Sequence, residues 1–319
     1  GAGAVLLVLV PWLWGVRVLQ AAPRPTGPPV ALVQGNVAGE IKWSGRHQRE
    51  ILDTFLRLSA PAAATRPKPA LIIWPETATG SFLRQEPQQA LALAAFATGT
   101  GVPVFSGFAE VVWDSAGTPR YYNAAGLFLP GGAPGPVYAK RHLVPFGERM
   151  PFERIMPWLA RIDLGQAEWT PGDKPVLFPS AAGPFGCQIC FEAIYPELPR
   201  ADVRAGARWL VNITNDEWFG NSAALYEHAA MAVFRAAENH VPLARCANTG
   251  LTLVADANGR VVRRLPVFRP GVLVVPLPPV GRWFPTPYTR FGDWPGLLSL
   301  AASIVLLAAA LRARAARER

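Results

Sequence analysis

The stretch "GCQICFEAIYPE", residues 186–197, closes an apolar run with two cysteines three residues apart and a glutamate two places after the second. A C-x-x-C pair invites a redox or metal reading, and a lone thiol beside acids invites a nucleophile. Residues 185–192, "FGCQICFE", have the composition of a buried strand. On a strand, residues three apart point to opposite faces, so Cys187 and Cys190 are not expected to serve one site. A redox pair belongs at a helix start, where the dipole lowers a thiol pKa. Zinc needs two further ligands, and His47, His142, His228 and His240 show no ligand spacing. Cys187 and Cys246 are therefore read as core residues. Cys190 is the thiol at a strand end. Three cysteines make no disulfide framework and fit either redox compartment.

Outward from this stretch, apolar β-rich runs alternate with helical periodicity. Strands are expected at 29–37, 70–76, 102–111, 121–130, 208–216 and 271–278. Residues 242–262 read as strand, turn, strand, with Asn258-Gly259 at the hairpin turn. Helices are expected at 46–62, with Ile51, Leu52, Phe55 and Leu56 on one face, at 87–100, and at 222–240 behind a Ser222 N-cap. This alternation predicts a layered α/β body. Residues 140–175 show no periodicity, and long loops in compact domains are often functional, here as a mobile lid.

Half of the 319 residues are hydrophobic and only 17% are charged, and the apolar excess lies near the two ends. Residues 1–16 carry no charge and include Trp12 and Trp14. A signal peptide needs a basic leading region and a starting Met, and neither is present. The segment 1–20 is read as the end of a transmembrane helix cut by the start of the sequence, with 21–28 as a linker. Residues 294–311 are uncharged and reach roughly 27 Å as a helix, enough for a thin crossing. The basic tail 312–319, with four arginines, is expected to be cytoplasmic, which puts the body on the opposite side of the membrane. The net charge of +9 comes from scattered arginines with no nucleic-acid-binding motif. Anionic lipid headgroups are the better partner for it.

Three apolar runs lead into reactive side chains: Glu76 after "LIIWP", Lys140 after "PVYA" and Cys190 after "GCQI". Open α/β sheets place their sites at strand ends. A carboxylate can take a thiol's proton, and an ammonium can stabilise a developing oxyanion, so the three together can run acyl transfer through a thioester. Taken singly, each has an ordinary reading: a solvated loop acid, a surface lysine, a small core residue.

"IIWPETA", "KRHLVPFGERMPF" and "CQICFEAIYPE" resemble the three signature segments of the nitrilase superfamily. "NITNDEWFG" and "RCANTGLTLVADANGRV" fit the same family. Within it, "QGNVAGEIKW" and "KRHLVPFGE" resemble the apolipoprotein N-acyltransferase branch, over about residues 29–311 and without the bulk of an N-terminal membrane bundle. The resemblance implies a nitrilase-type four-layer α-β-β-α sandwich over 29–285, flanked by transmembrane helices at the outer side of a bacterial inner membrane. It implies Glu76 as general base, Lys140 as oxyanion stabiliser, Cys190 as nucleophile, Glu148 as a second acid that orients Lys140 or assists proton transfer, and Glu192 as a further essential acid. Trp43, Phe146, Phe191, Trp218 and Phe219 would meet the lipid substrate, with Phe191 standing where the family usually has Tyr. The implied partners are a phospholipid acyl donor and a diacylglyceryl apolipoprotein acceptor, with no metal and no organic cofactor. Glu217 replaces a typically small residue. Two alternatives stay open: an amidase acting on a small C–N bond, and a non-catalytic membrane scaffold.

Overall fold

A computed structural model describes residues 2–20, 26–151, 155, 156, 158, 168–282 and 284–317 of the chain. In chain order the elements are α1 (Ala2–Gln20), β1 (Pro29–Gln34), α2 (Gly39–Lys42), α3 (Gln48–Ala63), β2 (Leu71–Ile73), α4 (Pro87–Thr100), β3 (Val104–Trp113), β4 (Pro119–Phe128), β5 (Pro134–Ala139), β6 (Leu177–Phe178), β7 (Phe185–Ile189), α5 (Glu197–Arg204), β8 (Trp209–Thr214), α6 (Ala223–Asn239), β9 (Leu243–Ala247), β10 (Leu253–Ala255), β11 (Val261–Arg264), β12 (Gly271–Pro276), α7 (Pro287–Phe291) and α8 (Trp294–Arg317). Short 3₁₀ turns span Cys190–Ile194 and Asp216–Phe219.

The strands form two six-stranded sheets, ordered β12-β1-β2-β3-β4-β5 and β11-β10-β9-β8-β7-β6. Each has three parallel strands in the middle, β1-β2-β3 and β7-β8-β9, with antiparallel flanks. The period-2 alternation of strand side chains builds the layers. Val30 and Leu32 of β1 face the other sheet and join Phe185, Cys187, Ile189, Val211 and Ile213 in a shared core. Ala31 and Val33 face outward onto Phe55 of α3 and Leu93 of α4. On the far side, Leu210 and Leu243 pack against Ala229 and Ala232 of α6 and Val203 of α5. The result is the expected α-β-β-α order. The parallel strands are apolar on both faces because both faces are covered.

The expected strands and helices lie where the periodicity put them, with local differences. The 242–262 segment makes three strands, and Asn258-Gly259 does form the β10–β11 turn, with Gly259 at φ +79. Ser222 occupies the N-cap position of α6, but its hydroxyl donates back to the Phe219 carbonyl instead of capping. The strand expected over 185–192 stops at Ile189, because Cys190 turns to φ +51 and opens a 3₁₀ helix. The lid reading of 140–175 falls partly on residues 152–154, 157 and 159–167, which lie outside the described residues, as do 21–25 of the linker and 318–319 of the tail.

Candidate active site

Glu76, Lys140 and Cys190 each follow a central or flanking strand. Glu76 lies three residues past β2, and Lys140 and Cys190 come directly after β5 and β7. Gly107 of β3 makes room for the first: a Cβ there would sit 2.7 Å from the Glu76 Cα. Thr77, Phe146 and Cys190 all hold left-handed backbone, at φ +41, +64 and +51. Such strain in non-glycine residues collects where surrounding contacts fix a functional geometry.

The structure brings four of the sequence-predicted residues together. The fully buried Lys140 Nζ lies 2.8 Å from Glu148 Oε1 and 3.7 Å from Glu76 Oε1. Asn123 Nδ2 donates to Glu76 Oε1 at 2.8 Å and to Glu148 Oε1 at 3.2 Å. The Asn215 backbone N–H donates to Glu76 Oε2 at 2.7 Å, and that of Val144 to Glu148 Oε2 at 2.8 Å. Both carboxylates are thus fixed in orientation, and one ammonium serves both. Burial acts to lower the Lys140 pKa, but Glu76, Cys190 and Glu148 outweigh it and hold the amine charged, above the ordinary lysine value. Burial and then Glu76 push the Cys190 thiol up to about 12, against the opposing pull of Lys140 and the Thr214 hydroxyl. The resting site therefore holds a protonated thiol. A thiol in that state would need a base to act as a nucleophile.

Glu192 does something different from its neighbours. Its carboxylate accepts from Tyr138 Oη at 2.7 Å, from the backbone N–H groups of Arg141 and His142 at 2.7 and 3.1 Å, and from that of Ile189 at 2.8 Å. It ties the segment after Lys140 to the residue before Cys190, and its contacts are with the scaffold.

The five aromatic positions separate. Trp43, Phe146 and Trp218 are exposed, at 53%, 56% and 84%. Phe191 is half-buried beside Tyr195. Phe219 turns inward, with its ring 5.3 Å from that of His228, so the Trp218–Phe219 pair points two ways. Glu217 finds a role here: its Oε1 accepts the Gly39 N–H at 2.7 Å and ties the Trp218 segment to the start of α2, three residues before Lys42.

Lys42, Asn123, Asn215 and Tyr138 escaped sequence reasoning. Asn123 carried a signal, as an amide inside the apolar face of β4. Asn215 acts through its backbone, which no side-chain pattern reveals. Lys42 is fully buried, and its Nζ has no hydrogen-bond partner among the described residues. Burial lowers it to about 8, although Glu76 and Glu217 pull the other way. Between about 8 and 10.5 the unfolded chain binds the proton that the folded one releases, so this residue makes stability rise with pH through that window. Below it, the burial of Lys42 costs up to about 3 kcal/mol. Lys42→Met is thus expected to raise stability at pH 7 and to lose that advantage by pH 10.5. Denaturant unfolding of both proteins at the two pH values checks this, and equal stability at pH 7 would refute it.

Among the described residues no group of three His, Cys, Asp or Glu side chains is placed to hold a metal ion. The arrangement offers a buried carboxylate, a buried cation and a thiol, a set of groups that suits nucleophilic attack on a carbonyl carbon.

The chain is 38% identical over 316 residues to the apolipoprotein N-acyltransferase of Geobacter metallireducens, covering 97% of this chain and 58% of that protein. It is 37% identical over 296 residues to the apolipoprotein N-acyltransferase of Methylococcus capsulatus, covering 91% of this chain and 56% of that one. It therefore spans somewhat over half the length of these relatives. Among solved structures, an amidase from Nesterenkonia sp. superposes with a TM-score of 0.62 at 18% identity, over 88% of this chain and 98% of that one, a likeness of fold. The sequence model for carbon-nitrogen hydrolases matches residues 29–282, which is the whole two-sheet body with every site residue described above, and the chain belongs to the carbon-nitrogen hydrolase family.

Proposed function

We propose that this chain carries the catalytic body of an apolipoprotein N-acyltransferase of the bacterial inner membrane, with Glu76, Lys140 and Cys190 as its triad. The observation that carries the chemistry is the buried Lys140 ammonium shared by Glu76 and Glu148, beside a protonated Cys190 thiol. As Cys190 Sγ attacks the ester carbonyl of a phospholipid, its proton passes to Glu76, and Lys140 stabilises the oxyanion. Collapse expels the lysophospholipid, whose alkoxide takes the proton back from Glu76, and a thioester remains. The neutral α-amine of a diacylglyceryl-cysteine then attacks the thioester. Its proton passes through Glu76 to the departing thiolate, which leaves an amide and a regenerated Cys190. Both half-reactions balance without a metal or organic cofactor. Glu148 orients Lys140, and Glu192 is a positioning residue that keeps the Lys140 and Cys190 segments in register.

The apolar helices support the membrane part of this reading. α8 is long and apolar enough to cross a bilayer, with mean hydropathy 2.0 over its best window and none of that window buried. A buried C-terminal helix would show covered apolar side chains, whereas Leu297, Val305 and Leu306 are 66–70% exposed. α1 exposes its leucines and tryptophans likewise. Lipid is the medium that covers such surfaces. The arginine-rich end of α8 supports a cytoplasmic C-terminus, with the two-sheet body on the outer side. Residues 29–285 form the catalytic domain, and exposed Trp43, Phe146 and Trp218, each beside a site segment, face the lipid substrate.

The test is a two-substrate assay in detergent with phosphatidylethanolamine and a diacylglyceryl-cysteine peptide. Acylation of the peptide α-amine, dependent on the phospholipid, is expected. Ammonia release from small amides with no phospholipid dependence would instead make the chain a hydrolase, and inactivity with every acyl donor would make it a scaffold.

A further inference from the structure

Cys190 is the residue at which β7 breaks, and the direction of its side chain depends on that break. In β7, Phe185, Cys187 and Ile189 face the opposite sheet, while Gln188 faces α5 and donates to Asp202 at 2.7 Å. Had the strand continued, Cys190 would fall on the Gln188 face, towards α5 and away from Glu76. The left-handed turn at φ +51 reverses this. A β-carbon disfavours such backbone, so something must hold it.

What holds it is buried and charged. His228 Nε2 lies 3.2 Å from the Cys190 carbonyl oxygen, and Asn212 Nδ2 lies 3.5 Å from it. A carbonyl only accepts, so the His228 ring carries its hydrogen on Nε2. The other nitrogen, Nδ1, faces Asp216 Oδ1 at 3.0 Å and Arg245 Nη2 at 3.2 Å. Asp216 is fully buried and accepts from Arg245 Nη2 at 2.9 and 2.8 Å and from the Thr214 hydroxyl at 2.9 Å. Burial opposes its charge, but Arg245 and then His228 hold it ionised at about 2. Arg245 also donates to Asn212 Oδ1, which ties the second donor into the same chain. Gly250 lies against the Asp216 carboxylate with no room for a Cβ, and the Phe219 ring closes the side of His228. This network touches none of Glu76, Glu148 or Lys140 by hydrogen bond among the described residues, and the acyl-transfer steps above leave it without a part.

We propose that His228, fixed by Asp216 and Arg245, is a positioning residue that locks the Cys190 carbonyl in the left-handed turn and so aims the thiol at Glu76 and Lys140. This rests on Cys190 being the nucleophile, and the test reads the thiol directly so that it does not depend on the acyl substrates. His228→Gln keeps a side-chain N–H of similar reach, and His228→Met keeps the bulk without the donor. Alkylation of Cys190 by iodoacetamide, followed by peptide mass mapping in the full chain, is expected to slow by roughly 10²-fold in His228→Met through misplacement of the thiol. It should stay within about threefold of wild type in His228→Gln, because the donated bond survives. Where acyl transfer is measurable, the same pattern should fall on kcat with KM unchanged. Equal alkylation rates in wild type and His228→Met would overturn the proposal, as would a His228→Gln variant as slow as the Met one. A measurement on the unmutated protein guards against misfolding of the variants: the imidazole ¹⁵N resonances of His228, assigned by their loss in His228→Gln, should show Nε2 protonated. An unprotonated Nε2 cannot donate to Cys190 and would end the proposal.

Discussion

Cys190→Ser is expected to reduce turnover by roughly 10⁴-fold or more while leaving the fold intact. The two side chains differ by one atom, so the strained turn and its hydrogen bonds to His228 and Asn212 persist. The chemistry does not. The Cys190 thiol is already pushed up to about 12 by burial and Glu76, so in the proposed mechanism its reaction relies on proton transfer to Glu76 during attack. A serine hydroxyl is a far weaker acid, and a carboxylate beside it is too weak a base to compensate. Steady-state acyl transfer together with a denaturant melt checks both halves. Cys187→Ser is the control. That residue lies between the sheets, and its hydroxyl would be buried in an apolar core at a cost of about 1–3 kcal/mol, with turnover retained. An inactive Cys187→Ser beside an active Cys190→Ser would reverse the assignment of the nucleophile.

Lys140→Met is expected to damage both stability and activity. Lys140 is the buried cation that faces Glu76 at 3.7 Å and Glu148 at 2.8 Å, and Asn123 bridges the two acids. Removing one member of a buried ionic group leaves uncompensated charge and costs roughly 3–5 kcal/mol. The sign of the pH effect follows from which charge is left. With the ammonium gone, two carboxylates repel across a buried site, and a proton taken up by either relieves them. The variant therefore binds more protons folded than unfolded, and its stability falls as pH rises. Melting curves at pH 5 and pH 8 should show the deficit larger at pH 8. Turnover should fall at least ~10²–10³-fold through loss of the oxyanion partner. A variant as stable as wild type at pH 8 would mean that the two acids do not share this cation.

The layered body was readable because its strands are apolar on both faces and its helices keep regular spacing. The helix-like, alanine-rich run 87–100 gives α4 residue for residue. Glu76, Lys140 and Cys190 were readable as candidates because each follows an apolar run in a segment that resembles a known signature, and Glu148 only because it falls in the same signature segment as Lys140. What was not readable is what connects distant parts of the chain. Asn215 reaches Glu76 across 139 residues through a backbone N–H, and the Arg141 N–H reaches Glu192 across 51. The break of β7 at Cys190 was hidden for the same reason. "CQICF" keeps a strand-like composition, and beside the local contact of Glu192 with the Ile189 N–H, the contact at the Cys190 carbonyl comes from His228, 38 residues away. Tertiary hydrogen bonds override local propensity there. Lys42 shows the reverse case. No sequence pattern marks it, yet it is fully buried, with Gly80 packed against it and Glu76 and Glu217 acting on its charge.

Intact mass spectrometry after incubation with phosphatidylethanolamine in detergent, with Cys190→Ala alongside, tests the thioester directly. The expected result is a mass gain of one acyl chain, lost on treatment with hydroxylamine and absent in the variant. A folded protein that gains no acyl chain, or that gains one equally in Cys190→Ala, would contradict acyl transfer through Cys190.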